Sequence, residues 1–140
     1  MKTLARLILL NLVAVTFAGK SVDAQVTYHE HEKTEEVLIE YRWQKERFFA
    51  RNPHALLNLR ITNLSDEHVV LRFNVGFYRD YQLFFESGEH EVCLEPGESI
   101  RGRRGDLRFR ADDILMDTVE EDWFSWDLVH FERQEVESCD

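Results

Sequence analysis

From Glu36 onward, apolar residues recur at every second position. Between Glu36 and Gln44, Val37, Ile39, Tyr41 and Trp43 fall on one face and Leu38, Glu40, Arg42 and Gln44 on the other. A period of two predicts a half-buried β-strand, because successive side chains of an extended backbone point to opposite faces. Leu57, Leu59 and Ile61 alternate with Asn58, Arg60 and Thr62 in a second strand. Val69, Leu71, Phe73, Val75 and Phe77 form one face of a third, longer strand. Phe124, Trp126, Leu128 and His130 alternate with Ser125, Asp127, Val129 and Phe131 in the last.

Turn chemistry separates these runs. Asn52-Pro53-His54 breaks the chain, and Asn63 to Glu67 is rich in turn formers. Tyr78-Arg79-Asp80-Tyr81 is the expected hairpin reversal into Tyr81–Phe85, although the favoured Asn-Gly is absent. Ser87-Gly88 and Pro96-Gly97 bracket a short strand at Val92-Cys93-Leu94. Ser99–Arg101 and Asp106–Arg110 are further short strands around Gly102 and Gly105. Ala111 to Glu121 fits either one helical turn capped by Asp112 or a strand through Ile114-Leu115-Met116. About seven or eight short strands with no long helical period between them predict an all-β fold, a single antiparallel β-sandwich or barrel.

The first 24 residues have a different character. Lys2 and Arg6 precede the apolar run Leu7–Ala18, and Val22-Asp23-Ala24 offers modest side chains before Gln25. A basic start, an apolar centre and a small-residue cut site make up a secretory signal peptide. The apolar run is too short for a comfortable transmembrane span. The sequence therefore predicts a cleaved signal over 1–24, a loose polar tail over 25–35, one sandwich domain over 36–136 and a carboxy-terminal tail over 137–140. It also predicts export to the periplasm or the cell exterior, with no membrane anchor once the signal is cut.

Export changes the charge count. The full chain carries −10; cleavage leaves 14 of the 17 basic and 26 of the 27 acidic residues, a net of −12. So acidic a surface repels nucleic acid and anionic lipid, so no nucleic-acid partner is expected. Two cysteines, Cys93 and Cys139, are present. In an oxidising compartment an even count suggests one bridge, and closing a loop of about 45 residues adds roughly 4 kcal/mol in the chain-entropy picture. A buried Cys93 thiol beside a frayed Cys139 is the other reading.

The run from Leu56 to Phe85, followed by Val92-Cys93-Leu94-Glu95-Pro96-Gly97-Glu98-Ser99-Ile100, resembles the strand–turn layout of exported bacterial immunoglobulin-like or fibronectin-type sandwiches. The antibody-type Cys…Trp…Cys spacing is missing. The resemblance implies an immunoglobulin-like sandwich and carries nothing about ligand.

Five arginines crowd Arg101-Gly102-Arg103-Arg104-Gly105-Asp106-Leu107-Arg108-Phe109-Arg110. As a hairpin, the segment would put Arg104, Arg108 and Arg110 on one basic stripe. Guanidinium groups grip carboxylates, or sulfated and phosphorylated sugars, through paired N–H donors. The competing reading pairs the arginines with the protein's own carboxylates and keeps an edge strand from aggregating. Arg101, Arg103, Arg104, Arg108 and Arg110 are the candidate partner-binding residues.

Other clusters carry less. His29-Glu30-His31-Glu32 offers zinc or copper donors on a tail without a third distant ligand. Asp112, Asp113, Asp117, Glu120, Glu121 and Asp122 offer calcium oxygens, but the spacing matches no EF-hand and a solvated acidic loop suffices. Trp123 and Trp126 face opposite sides of a strand, so at least one belongs to the core. Asn63-Leu64-Ser65 fits a glycosylation acceptor if the host glycosylates. No nucleophile elbow, phosphate-cradling loop or dinucleotide fingerprint occurs, and His31-Glu32 and His90-Glu91 start a zinc-protease pattern that Glu35 and Leu94 break. The sequence thus predicts no catalytic residues, no metal and no cofactor. It predicts a secreted interaction or assembly module binding another exported protein or surface polymer. A structural component of an envelope or fibre is the nearer alternative, and a small secreted hydrolase or metal-dependent enzyme the more distant one.

Overall fold

The computed structural model describes residues 27–140; the expected signal segment over 1–24 lies outside them. The described chain is all-β, and its paired strands are antiparallel. Nine strands occur among the described residues: β1 (His29–Lys33), β2 (Val37–Lys45), β3 (Ala55–Asn63), β4 (His68–Arg79), β5 (Gln82–Glu86), β6 (His90–Leu94), β7 (Ser99–Arg101), β8 (Arg108–Phe109) and β9 (Phe124–Val136). β1 falls inside the stretch expected to be a loose tail. Its pairing with β2 corrects that expectation for His29–Lys33. Polar side chains hide the strand in the sequence, because both its faces lie largely in water.

One sheet runs β1-β2-β3, with β7 and β8 sharing the far side of β3. The other is centred on β4, with β9 along one side and β5 and β6 sharing the other. Leu57, Leu59 and Ile61 of the first sheet and Leu71, Phe73, Val75 and Phe77 of the second are fully buried in one apolar cluster. Trp43 of β2 meets Phe77 of β4 and Phe124 of β9 at ring distances of 5.9 and 5.7 Å. Truncating a fully buried phenylalanine such as Phe73 costs about 3–5 kcal/mol.

Local departures from the sequence pattern have local causes. Arg79 pairs with Gln82, so Asp80 and Tyr81 alone turn the β4–β5 hairpin, both with positive φ (47° and 66°). A two-residue turn of this hand matches strand twist and needs positive φ at both positions, which Asn-Gly normally supplies. In β9, Val129 pairs with Asn74 and Glu132 with Arg72, leaving His130 and Phe131 opposite Phe73. That extra residue is a β-bulge, and His130 takes the left-handed backbone (φ 54°). The ambiguous Ala111–Glu121 stretch contains a 3-10 turn over Met116–Glu120, preceded by Leu115 rather than capped by Asp112. Leu115 also bridges His54. No helix among the described residues is long and apolar enough to cross a membrane.

Asn63 is not available as a glycan acceptor in this fold. It is fully buried, and its Nδ2 donates to the carbonyls of Glu67 (2.7 Å), Glu95 (3.0 Å) and Leu94 (3.3 Å). Its Oδ1 accepts from the Ser65 backbone N–H (3.0 Å) and hydroxyl (2.7 Å). The side chain ties the β3–β4 turn to the end of β6. Nearby, a disulfide joins Cys93 in β6 to Cys139 beyond β9, with the Cα atoms 5.5 Å apart. It links the two strands that flank β4 (residues 69–72 pair with β6 on one side and β9 on the other).

Two stability outcomes follow. Asn63→Ala removes five hydrogen bonds made by a fully buried side chain and should cost about 2–3 kcal/mol in denaturant unfolding; a change below about 0.5 kcal/mol would contradict the hub assignment. Cys139→Ser should lower stability by up to about 4 kcal/mol. Intact mass of the unreduced protein should show no free thiol available to alkylation.

Candidate anion-binding face

The arginine segment does not form a hairpin. Arg101 ends β7 and Arg108 begins β8, and both strands pair with β3. Between them, Gly102–Gly105 make a 3-10 turn. At Gly105 a Cβ would come within 2.8 Å of the Ile100 side chain, which would have to shift to admit it. Gly102 takes positive φ (55°), and its carbonyl accepts from the Leu107 N–H at 2.8 Å. Leu107 is fully buried and its carbonyl accepts from the Leu59 N–H. The plugged Leu107 thus pins a turn that holds Arg103 and Arg104 at the surface.

Strand register assembles the rest. On the outward face of β3, Asn58 is paired with Arg42 of β2 on one side and Arg108 of β8 on the other. One step along, Arg60 lies between Glu40 and Arg101. Arg42, Arg101, Arg103, Arg104 and Arg108 border a concavity of about 510 Å³, with Tyr28 on its wall. The Tyr28 ring lies 4.4 Å from the Arg60 guanidinium carbon and 5.2 Å from that of Arg42. Asn58 is buried at this face, with its Nδ2 donating to the Leu56 carbonyl at 3.2 Å.

The charges divide sharply. Arg60 grips Glu40 through two N–H donors, at 2.6 and 2.5 Å. Those hydrogen bonds raise its pKa; burial opposes the rise, and the Glu40 and Tyr28 charges reinforce it. A raised guanidinium value means that the pair's contribution persists throughout the range below the ordinary arginine value and is lost only above it. Arg110, expected on the stripe, turns away to Glu46 (2.5 Å) and Asp112 (2.6 Å). Hydrogen bonding to Glu46, then the charges of Glu46 and Asp112, raise its pKa. Arg110 thus follows the self-pairing reading and lies outside the concavity. By contrast, Arg42, Arg101, Arg103, Arg104 and Arg108 form no ion pair with any described carboxylate. Arg42 Nε is also buried without a hydrogen-bond acceptor.

Arg42, Tyr28 and Asn58 are site residues that sequence reasoning missed. The alternation of β2 places Arg42 on the outward face, but only strand register brings it level with Asn58 and Arg108. The other candidates fall elsewhere. His31 stacks on Trp126 at 4.1 Å and lies 3.0 Å from Asp127, bringing β1 against β9. Trp126 also meets Tyr41 edge-on, while Arg79 lies 5.2 Å from the Trp123 ring, so both tryptophans are engaged in packing. The acidic residues of 112–122 are exposed, and no group of three or more His, Cys, Asp or Glu among the described residues could hold a metal ion.

A second unanticipated surface is Phe48-Phe49, in the loop between β2 and β3. The two rings are 80 and 98 % exposed and contact each other at 5.7 Å. Adjacent phenylalanines outside any alternating run are the sequence signal for it. Replacing both by serine should shift unfolding free energy by less than about 0.5 kcal/mol, because neither supports the core. It should also reduce binding of a hydrophobic dye to the native protein; undiminished dye binding would place the accessible apolar surface elsewhere. Comparison of the chain with protein-family models, with curated proteins and with solved structures gave no match.

Proposed function

We propose that this chain is an exported, non-catalytic interaction module whose two sheets form an immunoglobulin-like sandwich. It binds another exported protein or a surface polymer through the arginine face. The observation that carries this reading is the group of five guanidiniums around one concavity, all without a carboxylate partner in a protein rich in carboxylates. Buried or crowded cations are ordinarily neutralised by neighbours, and Arg60 and Arg110 illustrate that nearby acids here can do so. Leaving five unpaired keeps their N–H donors free for an external anion.

Guanidinium groups stay protonated across the physiological range, so they bind and orient anions and do not shuttle protons. That chemistry supports recognition over hydrolysis at this face. It also supports face recognition over strand addition. β7 and β8 have three and two residues, and the 3-10 turn interrupts them, so this edge offers no continuous ladder of backbone donors and acceptors.

Charge reversal at Arg103, Arg104 and Arg108 provides the test. The triple Glu variant should keep the native circular dichroism spectrum, since all three side chains are exposed. It should also lose capture of the anionic partner from the native envelope. Undiminished capture by a folded triple variant would remove the arginine face from the function.

A further inference from the structure

We infer that the ligand of the arginine concavity is a polyanionic glycan, a sugar polymer carrying sulfate or phosphate groups at repeated intervals. This rests on the reading of the arginine face as the binding surface and narrows its partner to one chemical class.

Spacing favours a repeating anion. Arg42 and Arg108 occupy register positions on either side of Asn58, two strand intervals apart. Their backbones are therefore about 10 Å from one another. One sulfate or phosphate, carrying at most about two charges, offsets only part of a group of five guanidiniums. Arg101 stands one pair further along β3, and Arg103 and Arg104 extend the positive surface beyond β7. Cations spread across three strands and a turn match anionic groups spread along a chain. The five-donor planar fork of each guanidinium fits the paired oxygens of sulfate and phosphate.

The remaining lining favours a sugar over an acidic peptide. Gln44 and Ser99 bring an amide and a hydroxyl, groups that hydrogen-bond to sugar hydroxyls; the Ser99 oxygen accepts from Thr62 and keeps its own proton to donate. Tyr28 is the single aromatic among the residues around the concavity. Protein interfaces centre on buried apolar or aromatic anchors in pockets, and this face provides no apolar pocket for one. Tyr28 instead packs its ring against the Arg42 and Arg60 guanidiniums.

Calorimetric titration of the folded, full-length mature chain tests the assignment. The probes are a heparin-derived sulfated hexasaccharide, a phosphorylated oligosaccharide of similar length, the desulfated hexasaccharide, inorganic sulfate and a polyglutamate peptide of matching charge. Either charged sugar should bind, with affinity falling steeply as salt rises; which one binds more tightly identifies the anion. The desulfated sugar and inorganic sulfate should bind at least about tenfold more weakly. Arg42→Ala/Arg108→Ala should weaken the charged sugar by about tenfold or more, whereas Arg110→Ala should change it by less than roughly twofold. Equal binding of inorganic sulfate or of polyglutamate would overturn the inference. So would charged-sugar binding that survives in the Arg42/Arg108 double variant. If neither charged sugar binds but charge reversal still abolishes envelope capture, the glycan assignment falls and the recognition role stands. If capture is also unaffected, both fall.

Discussion

The burial of one face of β4 is the constraint on which the fold depends. Val69, Leu71, Phe73, Val75 and Phe77 are all fully buried, and β4 is also the strand flanked on both sides along most of its length. Each large side chain removed from water contributes on the order of 2 kcal/mol. A five-residue apolar face therefore outweighs any single surface interaction in the molecule. It also fixes register. A slip of one residue would bury Arg72 and Asn74 and expose two phenylalanines, an exchange that no ion pair here could offset. With β4 fixed, β6, β9 and the disulfide between their ends follow, and β3 packs its own apolar face into the same cluster.

That same alternation produces the arginine face. Because Leu57, Leu59 and Ile61 must point inward, Asn58, Arg60 and Thr62 must point outward, and whatever pairs with them shares that outer surface. Arg42 and Arg108 meet across Asn58 for this reason, and Arg101 joins Arg60. Leu107 extends the coupling, since its buried side chain anchors the turn carrying Arg103 and Arg104. A core residue thereby sets the position of surface cations, and Leu107→Ala would loosen the charged turn as well as leave a cavity.

The strands of β2, β3, β4 and the first half of β9 were legible because one face of each is buried and leaves a period of two. β1 was not, because His29, Glu30, Glu32 and Lys33 are exposed and its pairing rests on backbone hydrogen bonds that carry no side-chain signature. The β4–β5 turn was located from the chain, but its geometry was not, since Asp80-Tyr81 adopts a conformation other residues favour more. The sequence singled out the arginine segment and left its fate divided between self-pairing and partner binding. The structure divides the arginines themselves: Arg110 pairs within the protein, and Arg101, Arg103, Arg104 and Arg108 do not. Pairing depends on which carboxylates register brings near, and linear spacing does not encode that. Asn63 makes the same point, since a tripeptide that matches a surface modification signal in fact holds a buried hydrogen-bond hub.

Five like charges around one concavity repel each other, and that repulsion opposes folding. The repulsion is moderate, because exposed charges are screened over about 8 Å in physiological salt. The core and the Glu40–Arg60 pair can therefore tolerate it, but they do not remove it. Asn58 is informative in this respect. A carboxylate at that position would stand between Arg42 and Arg108 in register and offset part of their charge, with almost no change in side-chain shape. The amide occupies the same space, leaves both cations uncompensated, and keeps the local potential positive within a protein whose net charge is strongly negative. An external anion would relieve the repulsion on binding, so ligand affinity and fold stability are linked at this face. Asn58→Asp should accordingly weaken anion binding, and the loss should shrink in high salt. A salt-dependent loss of binding in the folded variant distinguishes an electrostatic role for Asn58 from a purely steric one, which would be insensitive to salt.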